Sequence, residues 1–515
     1  MKAAAADALA TKSNQYPPML GVPELRQAVA AHAARHSGQR GVSADGAGGG
    51  GGGGVLVTSG ATEGIAAALA GLCNRGDRAV VFEPLYDAYA GAAAAAGVEL
   101  APVRLRPPAW ALPPPAFAGA DGPEAEAEAA AAEAEAETAE EAAAAEAGGD
   151  DGDARVGGAG GRGELGRAFF PGGGRPHAKL VILNTPHNPT GKVFSRAELA
   201  RVAAFVRRAG GCLALLDEVY EHLVHPPPAA EEGDGDKASA GGGADDGVPA
   251  GGGGGGKTAG AAGAPASAAS AAQTVAAAAA AAAAATDPAE SAAAALPPPP
   301  HPHEHVSLCT LPGMNARCVR LGSAGKTFSF TGWKVGWATG PDRLLAPMAK
   351  AHQFFTFTVP PALQHAVAHG LDRCRPFYEG LGRELAAQRR ALAPRLAAIG
   401  FGVLPATATY FLVADARAFA SPCEDDAAFC RRLAAEGGVA LIPVSAFYLP
   451  TEETGRPAPP RALVRFAFCK SPEALDAAVG RLEAYLGRPG RPGPGARGDT
   501  AFAAEAAAAA ARGGL

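Results

Sequence analysis

Five short apolar runs alternate with helix-like stretches between Val55 and Lys326. "VLVTSG" (55–60) leads into "ATEGIAAALAGL", whose composition predicts a helix, and "AVVFEP" (79–84) is a second strand. "AKLVILNTPHNPTG" (178–191) runs into a Pro/Asn loop and then the helix "SRAELARVAAFVRRAG". "CLALLDEVY" (212–220) ends on two acids, and "RCVRLGSAGK" (317–326) ends on a lysine. Continuous apolar strands separated by helices predict an α/β fold: a buried, mostly parallel sheet with helices on both faces. Such sheets bind ligands beyond the carboxyl ends of their strands. Here those ends carry Gly60-Ala61-Thr62, Tyr86, Asn184 with Asn188, Asp217 with Tyr220, and Ser323 with Lys326. One site is therefore expected from five separate segments.

Composition marks what lies outside this pattern. The 70 glycines and 44 prolines concentrate in a few tracts. These are the glycine run at 46–54, about 107–176, 226–303, and the tail after about 488. The second holds "EAEAEAAAAAEAEAETAEEAAAAEA", which has helix formers but no apolar stripe. The third has almost nothing to bury, so it is expected to be a disordered surface loop. Loop-closure entropy grows by only ~0.6 kcal/mol per doubling of length. Excising 226–303 is therefore expected to leave ligand binding at the strand-end site intact, and a shortened protein that no longer binds there would show the tract to be structural. "HPHEH" (301–305), beside a Pro-rich stretch, reads as exposed histidines rather than metal ligands.

The net charge of −6 and pI near 6.1 give no basis for nucleic-acid or anionic-membrane binding. Eight cysteines without a C-x-x-C pair read as reduced thiols, not as a disulfide framework or zinc site. The start has no secretory core, and the alanine run at 276–285 is too short for the ~20 residues of a membrane span. The sequence reads as a soluble, cytoplasmic protein.

Lys326 sits in "GSAGKTFSFTGWKVGW" (322–337), where "GKT" resembles the end of a nucleotide-binding loop. That motif requires a glycine at 320, where this chain has Arg320, and an acidic strand after the lysine rather than before it. The other reading is a Schiff-base lysine, whose small neighbours let the amine reach an aldehyde cofactor. Pyridoxal phosphate needs a carboxylate at its pyridine nitrogen, and Asp217 has the right setting. Its phosphate needs backbone N–H groups, hydroxyls and a cation, which Gly60-Ala61-Thr62, Ser323 and Lys334 offer. Tyr86 is placed to stack on the ring.

Eight segments carry a resemblance, in order: "NQYPPMLGVPELRQAVA", "VTSGATEGIAAAL", "FEPLYDAY", "ILNTPHNPTGKVFSR", "DEVYEHL", "HVSLCTLPGM", "GSAGKTFSFTGWKVGW" and "LVRFAFCKSPEAL". They resemble fold-type I, class I aminotransferases, and within these the kynurenine aminotransferase (glutamine transaminase K, cysteine-S-conjugate β-lyase) group and plant aromatic aminotransferases. The resemblance implies that Lys326 carries pyridoxal phosphate and shuttles the substrate's α-proton, and that Asp217 pairs with the ring nitrogen. It implies that Tyr220 and Asn188 bond the cofactor's phenolic oxygen, that Asn184 helps hold the ring, and that Ser323, Lys334 and the Gly60 turn hold the phosphate. Arg465 would clamp the substrate carboxylate with Asn188. Members are homodimers, so Tyr16 is expected to reach the neighbour's phosphate and Phe357 the neighbour's pocket.

The implied division is an N-terminal segment (14–54), a large cofactor-binding domain (55–345), a smaller α+β domain (346–487) and a tail (488–515). The family also has an arm of several dozen residues ahead of the segment matching "NQY". Its lack here predicts an incomplete sequence or a site open on one side. The implied reaction is ping-pong transamination from aromatic or sulfur-containing amino acids to a 2-oxo acid. The alternatives are β-elimination from cysteine conjugates and an inactive homologue.

Overall fold

The computed structural model describes residues 1–45, 53–113, 178–227, 305–420, 424–450, 460 and 462–487. Valine, leucine and isoleucine build a sheet from β1 (Gly53–Thr58), β2 (Arg78–Glu83), β3 (Glu99–Arg104), β4 (Ala178–Asn184), β5 (Leu213–Asp217), β6 (Cys318–Ser323) and β7 (Gly336–Pro341). The spatial order is β1-β7-β6-β5-β4-β2-β3. Neighbours pair in parallel from β3 to β6, whereas β7 is antiparallel to both β6 and β1. The carboxyl ends of β1, β2, β4, β5 and β6 therefore share one edge.

Successive strand residues point to opposite faces, so alternate apolar side chains feed two cores. On one face Leu56, Val81, Ile182 and Leu215 pack with Ile65 and Leu69 of α3 (Gly60–Leu72) and with Leu345 and Met348. On the other, Val80, Leu183 and Leu216 pack with Leu199, Val202 and Val206 of α5 (Arg196–Arg208). Ser195 and Glu198 close a reciprocal capping box that sets where α5 begins. Between these helices in the chain lies α4 (Ala88–Ala96). Ahead of the sheet, α1 (Lys2–Thr11) and α2 (Pro23–His32) pack on the later helix at Pro361–Arg373.

After β6, the short α6 (Ala324–Thr327) carries Lys326. The chain continues through α7 (Asp342–Phe355), α8 (Pro361–Arg373) and α9 (Arg375–Ile399). A second, antiparallel sheet follows, in the order β10-β11-β9-β8, from β8 (Gly402–Val403), β9 (Phe411–Asp415), β10 (Ile442–Pro443) and β11 (Leu463–Ala467). Its core joins Leu412, Phe466 and Phe468 to Leu396 of α9 and to Val479 and Leu482 of the last helix, Pro472–Leu486.

Most of the compositional tracts lie outside the described residues, but two boundaries shift. Gly53 and Gly54 belong to β1, paired with Pro341 and Gly340, so the glycine run ends inside the sheet. Residues 107–113 belong to the fold, because Trp110 and Leu112 are buried in the α5-side core. The histidine run needs a correction too. His301, His303 and Glu304 lie outside the described residues, but the His305 side chain is nearly buried, its Nε2 3.4 Å from Glu218. A buried carboxylate draws in a group that can carry positive charge, which a reading of local composition cannot see. Cys73, Cys212, Cys309, Cys318, Cys374, Cys430 and Cys469 are free thiols, and Cys423 lies outside the described residues. Among the described residues no helix is long and apolar enough to cross a membrane.

Buried histidines make the fold acid-sensitive. Burial, the first cause in each case, pulls His187 and His222 down to about 3 and His225 down to about 4. Their folded values lie below the ordinary 6.5, so the unfolded chain binds protons that the fold refuses. Stability is fully present above about pH 6.5 and falls toward pH 4, by at most ~1.4 kcal/mol per pH unit for each histidine. Thermal unfolding midpoints are expected to drop steadily across that window. A midpoint that stayed level there would contradict the burial of these rings.

Candidate active site

The shared strand edge opens into a cleft of about 540 Å³. Its floor begins where β1 turns into α3 at Gly60, whose φ of +71° suits a residue without a side chain. A Cβ on Gly336 of the neighbouring strand would lie 2.7 Å from the Gly60 carbonyl carbon, so β7 can press against the start of α3 only as glycine. Lys334 also holds a left-handed φ of +52°, and its Nζ would stand 3.4 Å from a Cβ placed on Gly60. A helix N-terminus carries roughly half a positive charge. A full ammonium charge beside it is stable when an anion with several acceptor oxygens lies between them. Ser323, Ala61 and Thr62 line the same corner of the cleft.

Asp217 ends β5, buried, and its Oδ2 accepts a 2.5 Å bond from the Tyr89 hydroxyl. Its Oδ1 is buried with no hydrogen-bond partner among the described residues. Burial pushes the Asp217 carboxyl above its ordinary value, while Tyr89, the Val219 backbone and Lys326 pull it back. An orphaned carboxylate oxygen costs about 1–3 kcal/mol or more, and a protonated ring nitrogen is a donor that would satisfy it. Asn184 donates to the Asp217 carbonyl and accepts from the Asn188 amide, both at 2.8 Å. It thus spends its side-chain amide on the loop that presents Asn188.

Lys326 donates to the Tyr410 hydroxyl at 2.9 Å and lies 5.4 Å from the centre of the Tyr220 ring. Arg465, on β11, comes from the second sheet. Its guanidinium lies between the rings of Phe411 and Phe447, 4.1 and 4.8 Å from their centres, and Nη1 donates to Asn188 Oδ1 at 2.8 Å. Burial lowers the Arg465 pKa, only partly offset by Tyr220 and Tyr410; a guanidinium starts so far above neutral pH that it stays charged. Arg465 Nε is buried without a hydrogen-bond partner. A planar cation held between aromatic rings, with a donor unspent, is arranged to take a carboxylate as a fork.

The structure thus brings Gly60, Ala61, Thr62, Tyr86, Asn184, Asn188, Asp217, Tyr220, Ser323, Lys326, Lys334 and Arg465 to one cleft. It does not bring Tyr16 or Phe357 there. Those two rings meet each other edge to face at 5.6 Å, and Tyr16 is 82% exposed. Sequence reasoning missed Tyr89, Tyr410 and Phe447. Tyr89 sits three residues after Tyr86, across the turn that opens α4, with the two rings 5.7 Å apart, a spacing that marks it as a neighbour of the site. Tyr410 and Phe447 carry no local signal, since each opens or closes an apolar run.

These residues fit pyridoxal phosphate: an orphaned buried carboxylate oxygen, a lysine in a small-residue turn, and a helix start facing a lysine. Comparison with known proteins agrees. The pattern of the family "Aminotransferase class I and II" matches residues 1–305 and 302–482. The N-succinyldiaminopimelate aminotransferase of Mycobacterium tuberculosis superposes with a TM-score of 0.62 at 30% identity, over 94% of this chain and 89% of that one. The methionine aminotransferase of Escherichia coli is 27% identical, over 92% of this chain and 85% of the relative. The kynurenine–oxoglutarate transaminase of Dictyostelium discoideum is 27% identical, over 83% of this chain and 75% of the relative. A strand edge that gathers this residue set, and a family pattern that runs through nearly all of the described chain, make the protein a pyridoxal-phosphate-dependent member of the class I and II aminotransferases.

Proposed function

We propose that this transaminase takes amino groups from aromatic and sulfur-containing amino acids and passes them to a 2-oxo acid by a ping-pong cycle. The observation that carries the reading is the lining of the cleft. Its cations among the described residues are Lys326, Lys334 and Arg465, and its walls include Tyr86, Tyr410, Phe411 and Phe447. Arg465 fixes the α-carboxylate and so cannot select among side chains. No further cation among the described lining residues awaits a side-chain carboxylate, as an aspartate-specific enzyme would need. Aromatic walls favour flat or polarisable side chains such as those of phenylalanine, tyrosine, kynurenine and methionine.

When bound, pyridoxal phosphate supplies an aldehyde for amines and a ring that draws electrons from the substrate's α-carbon. The chain's residues do the rest. Lys326 would hold the cofactor at rest, and its Nζ would take and return the substrate's α-proton, oriented by the Tyr410 hydroxyl. Asp217, itself held by Tyr89, would keep a proton on the ring nitrogen. Tyr220 and Asn188 would bond the phenolic oxygen, and Tyr86 would support the ring face. The start of α3, Ser323 and Lys334 would hold the phosphate. Phe354, Phe355 and Phe357, exposed with Tyr16, would meet the second subunit of a homodimer, where Tyr16 and Phe357 serve the neighbouring site.

The likeness to the N-succinyldiaminopimelate enzyme favours a second reading, a donor with a long acylated side chain. A panel of amino donors, with N-succinyldiaminopimelate included, separates them. Phenylalanine, kynurenine or methionine is expected to lead in kcat/KM. The succinylated donor in first place would favour the second reading, and aspartate in first place would overturn the pocket argument. Arg465→Lys is expected to weaken every donor alike. It loses a charge-assisted fork of ~1.5–3 kcal/mol, roughly 10- to 150-fold in kcat/KM. A loss confined to one donor would mean that Arg465 reads side chains instead.

A further inference from the structure

The turn that follows β5 has two sides. Asp217 and Tyr220 line the cleft, whereas Glu218, Glu221 and His222 do not. These three enter a buried polar cluster with Arg320 of β6 and His32, the last residue of α2. His32 Nε2 lies 2.9 Å from His222 Nε2. Glu221 Oε1 lies 3.9 Å from the first nitrogen and 3.8 Å from the second. All three side chains are at least nine-tenths buried. Nothing in the transamination chemistry uses them.

We propose that His32, His222 and Glu221 form a binding site for a zinc-class divalent metal ion, which ties α2 to the turn carrying Asp217 and Tyr220. Two imidazole nitrogens and a carboxylate oxygen are a donor set suited to zinc or cobalt. Metal–ligand bonds of ~2.0–2.1 Å in a tetrahedron put donor atoms about 3.3 Å apart. The three observed separations straddle that edge, so sub-ångström shifts close the site. Each ligand atom already points inward. Arg320 Nη2 holds Glu221 Oε2, leaving Oε1 to face the histidines, which is the outer support that fixes a ligating carboxylate. Arg320 also takes Glu218 at 2.5 Å, and Ser307 donates to Glu218 at 2.6 Å.

Electrostatics point the same way. Both imidazoles are enclosed in the fold, and burial favours the neutral form, which has a lone pair to give a metal. Arg320 bonds Glu218 and Glu221, and His305 Nε2 stands 3.4 Å from Glu218, so Glu221 Oε1, facing the two histidines, is the carboxylate oxygen placed to meet a further cation. A route in also exists. The His36 ring stands 4.8 Å from that of His32 and 5.0 Å from that of His222. Its Nε2 has no hydrogen-bond partner, and its side chain is 20% exposed, 3.6 Å from the half-exposed Glu379. His36 is thus the nearest fourth nitrogen donor and the solvent side of the site.

The test uses the cofactor-loaded full-length protein, stripped of metal by a chelator and titrated with cobalt(II) and then zinc. One cobalt per chain is expected, with the visible d–d bands of a low-coordinate site, displaced by zinc. His32→Gln and His222→Gln are each expected to lose the bands while keeping the cofactor's absorbance. His301→Ala with His303→Ala is expected to keep them. Absence of bands in the folded wild type overturns the proposal, as does their loss in the 301/303 variant alone. If the ligand variants fail to accumulate, X-ray absorption of the zinc-loaded wild type decides. Imidazole and oxygen scattering is expected, and sulfur at ~2.3 Å would place the ion on cysteines and overturn the assignment.

Discussion

Lys326→Ala is expected to abolish transamination while leaving the fold intact. The side chain lies half-buried in the four-residue turn Ala324–Thr327, and its Nζ has one close polar partner, the Tyr410 hydroxyl at 2.9 Å. Removing it takes one source of stabilisation from the buried Asp217 carboxylate, but Tyr89 and the Val219 backbone still bond that group, so the fold is expected to persist. Chemistry loses two things at once: the amine that holds the aldehyde and the base that moves the α-proton. A positioned proton-transfer group alone supplies about 10²–10⁴-fold, so turnover should fall by at least that much. The visible band of lysine-bound cofactor should vanish even though the cofactor still binds. A variant with wild-type turnover on added pyridoxal phosphate would overturn the role of Lys326.

Asp217→Asn is expected to be the second most damaging change. Burial raises the pKa of this carboxyl, and Tyr89, the Val219 backbone and Lys326 offset that by stabilising its charge. Its Oδ1, buried and unpartnered, is the one oxygen left for the ring nitrogen. An asparagine fills the same volume and can still accept from Tyr89, but it cannot hold a proton on the ring by charge. The loss of one preorganised electrostatic partner is worth about 10²–10³-fold in kcat. Cofactor affinity should fall less than turnover, because the phosphate contacts remain. Turnover within tenfold of wild type would assign the ring nitrogen to another partner.

The strand-end residues were legible because they obey a local rule. A run of apolar residues that stops at Asn184, Asp217 or Ser323 announces both a buried strand and where its functional end lies. The start of α5 at Ser195 was legible too, because its capping box with Glu198 is written within four residues. Tyr410 and Phe447 were not, because the contacts that give them roles, to Lys326 and Arg465, span 84 residues in one case and run from the turn after β10 to β11 in the other. The Arg320 cluster was hidden twice over. In sequence, Arg320 had no role beyond breaking the nucleotide-loop motif, and Glu218 none beyond closing an apolar run. Only the register of β5 against β6, with Leu216 opposite Arg320, brings that guanidinium inside to meet both acids. His305 was misread because its partner lies 87 residues back in the chain. The edges of the compositional tracts moved for a simpler reason. Glycine in a paired strand and tryptophan in a core look the same in sequence as glycine and tryptophan in a loop.

The central claim is that one cleft, built around Lys326, Asp217 and Arg465, exchanges amino groups with amino acids that have aromatic or sulfur-containing side chains. The most direct measurement is the absorbance spectrum of the cofactor-loaded protein, titrated first with phenylalanine or methionine and then with a 2-oxo acid. The account predicts that the visible band disappears on adding the donor, returns on adding the oxo acid, and responds far less to aspartate at equal concentration. A band that ignores both amino acids, or that aspartate alone discharges, would contradict it.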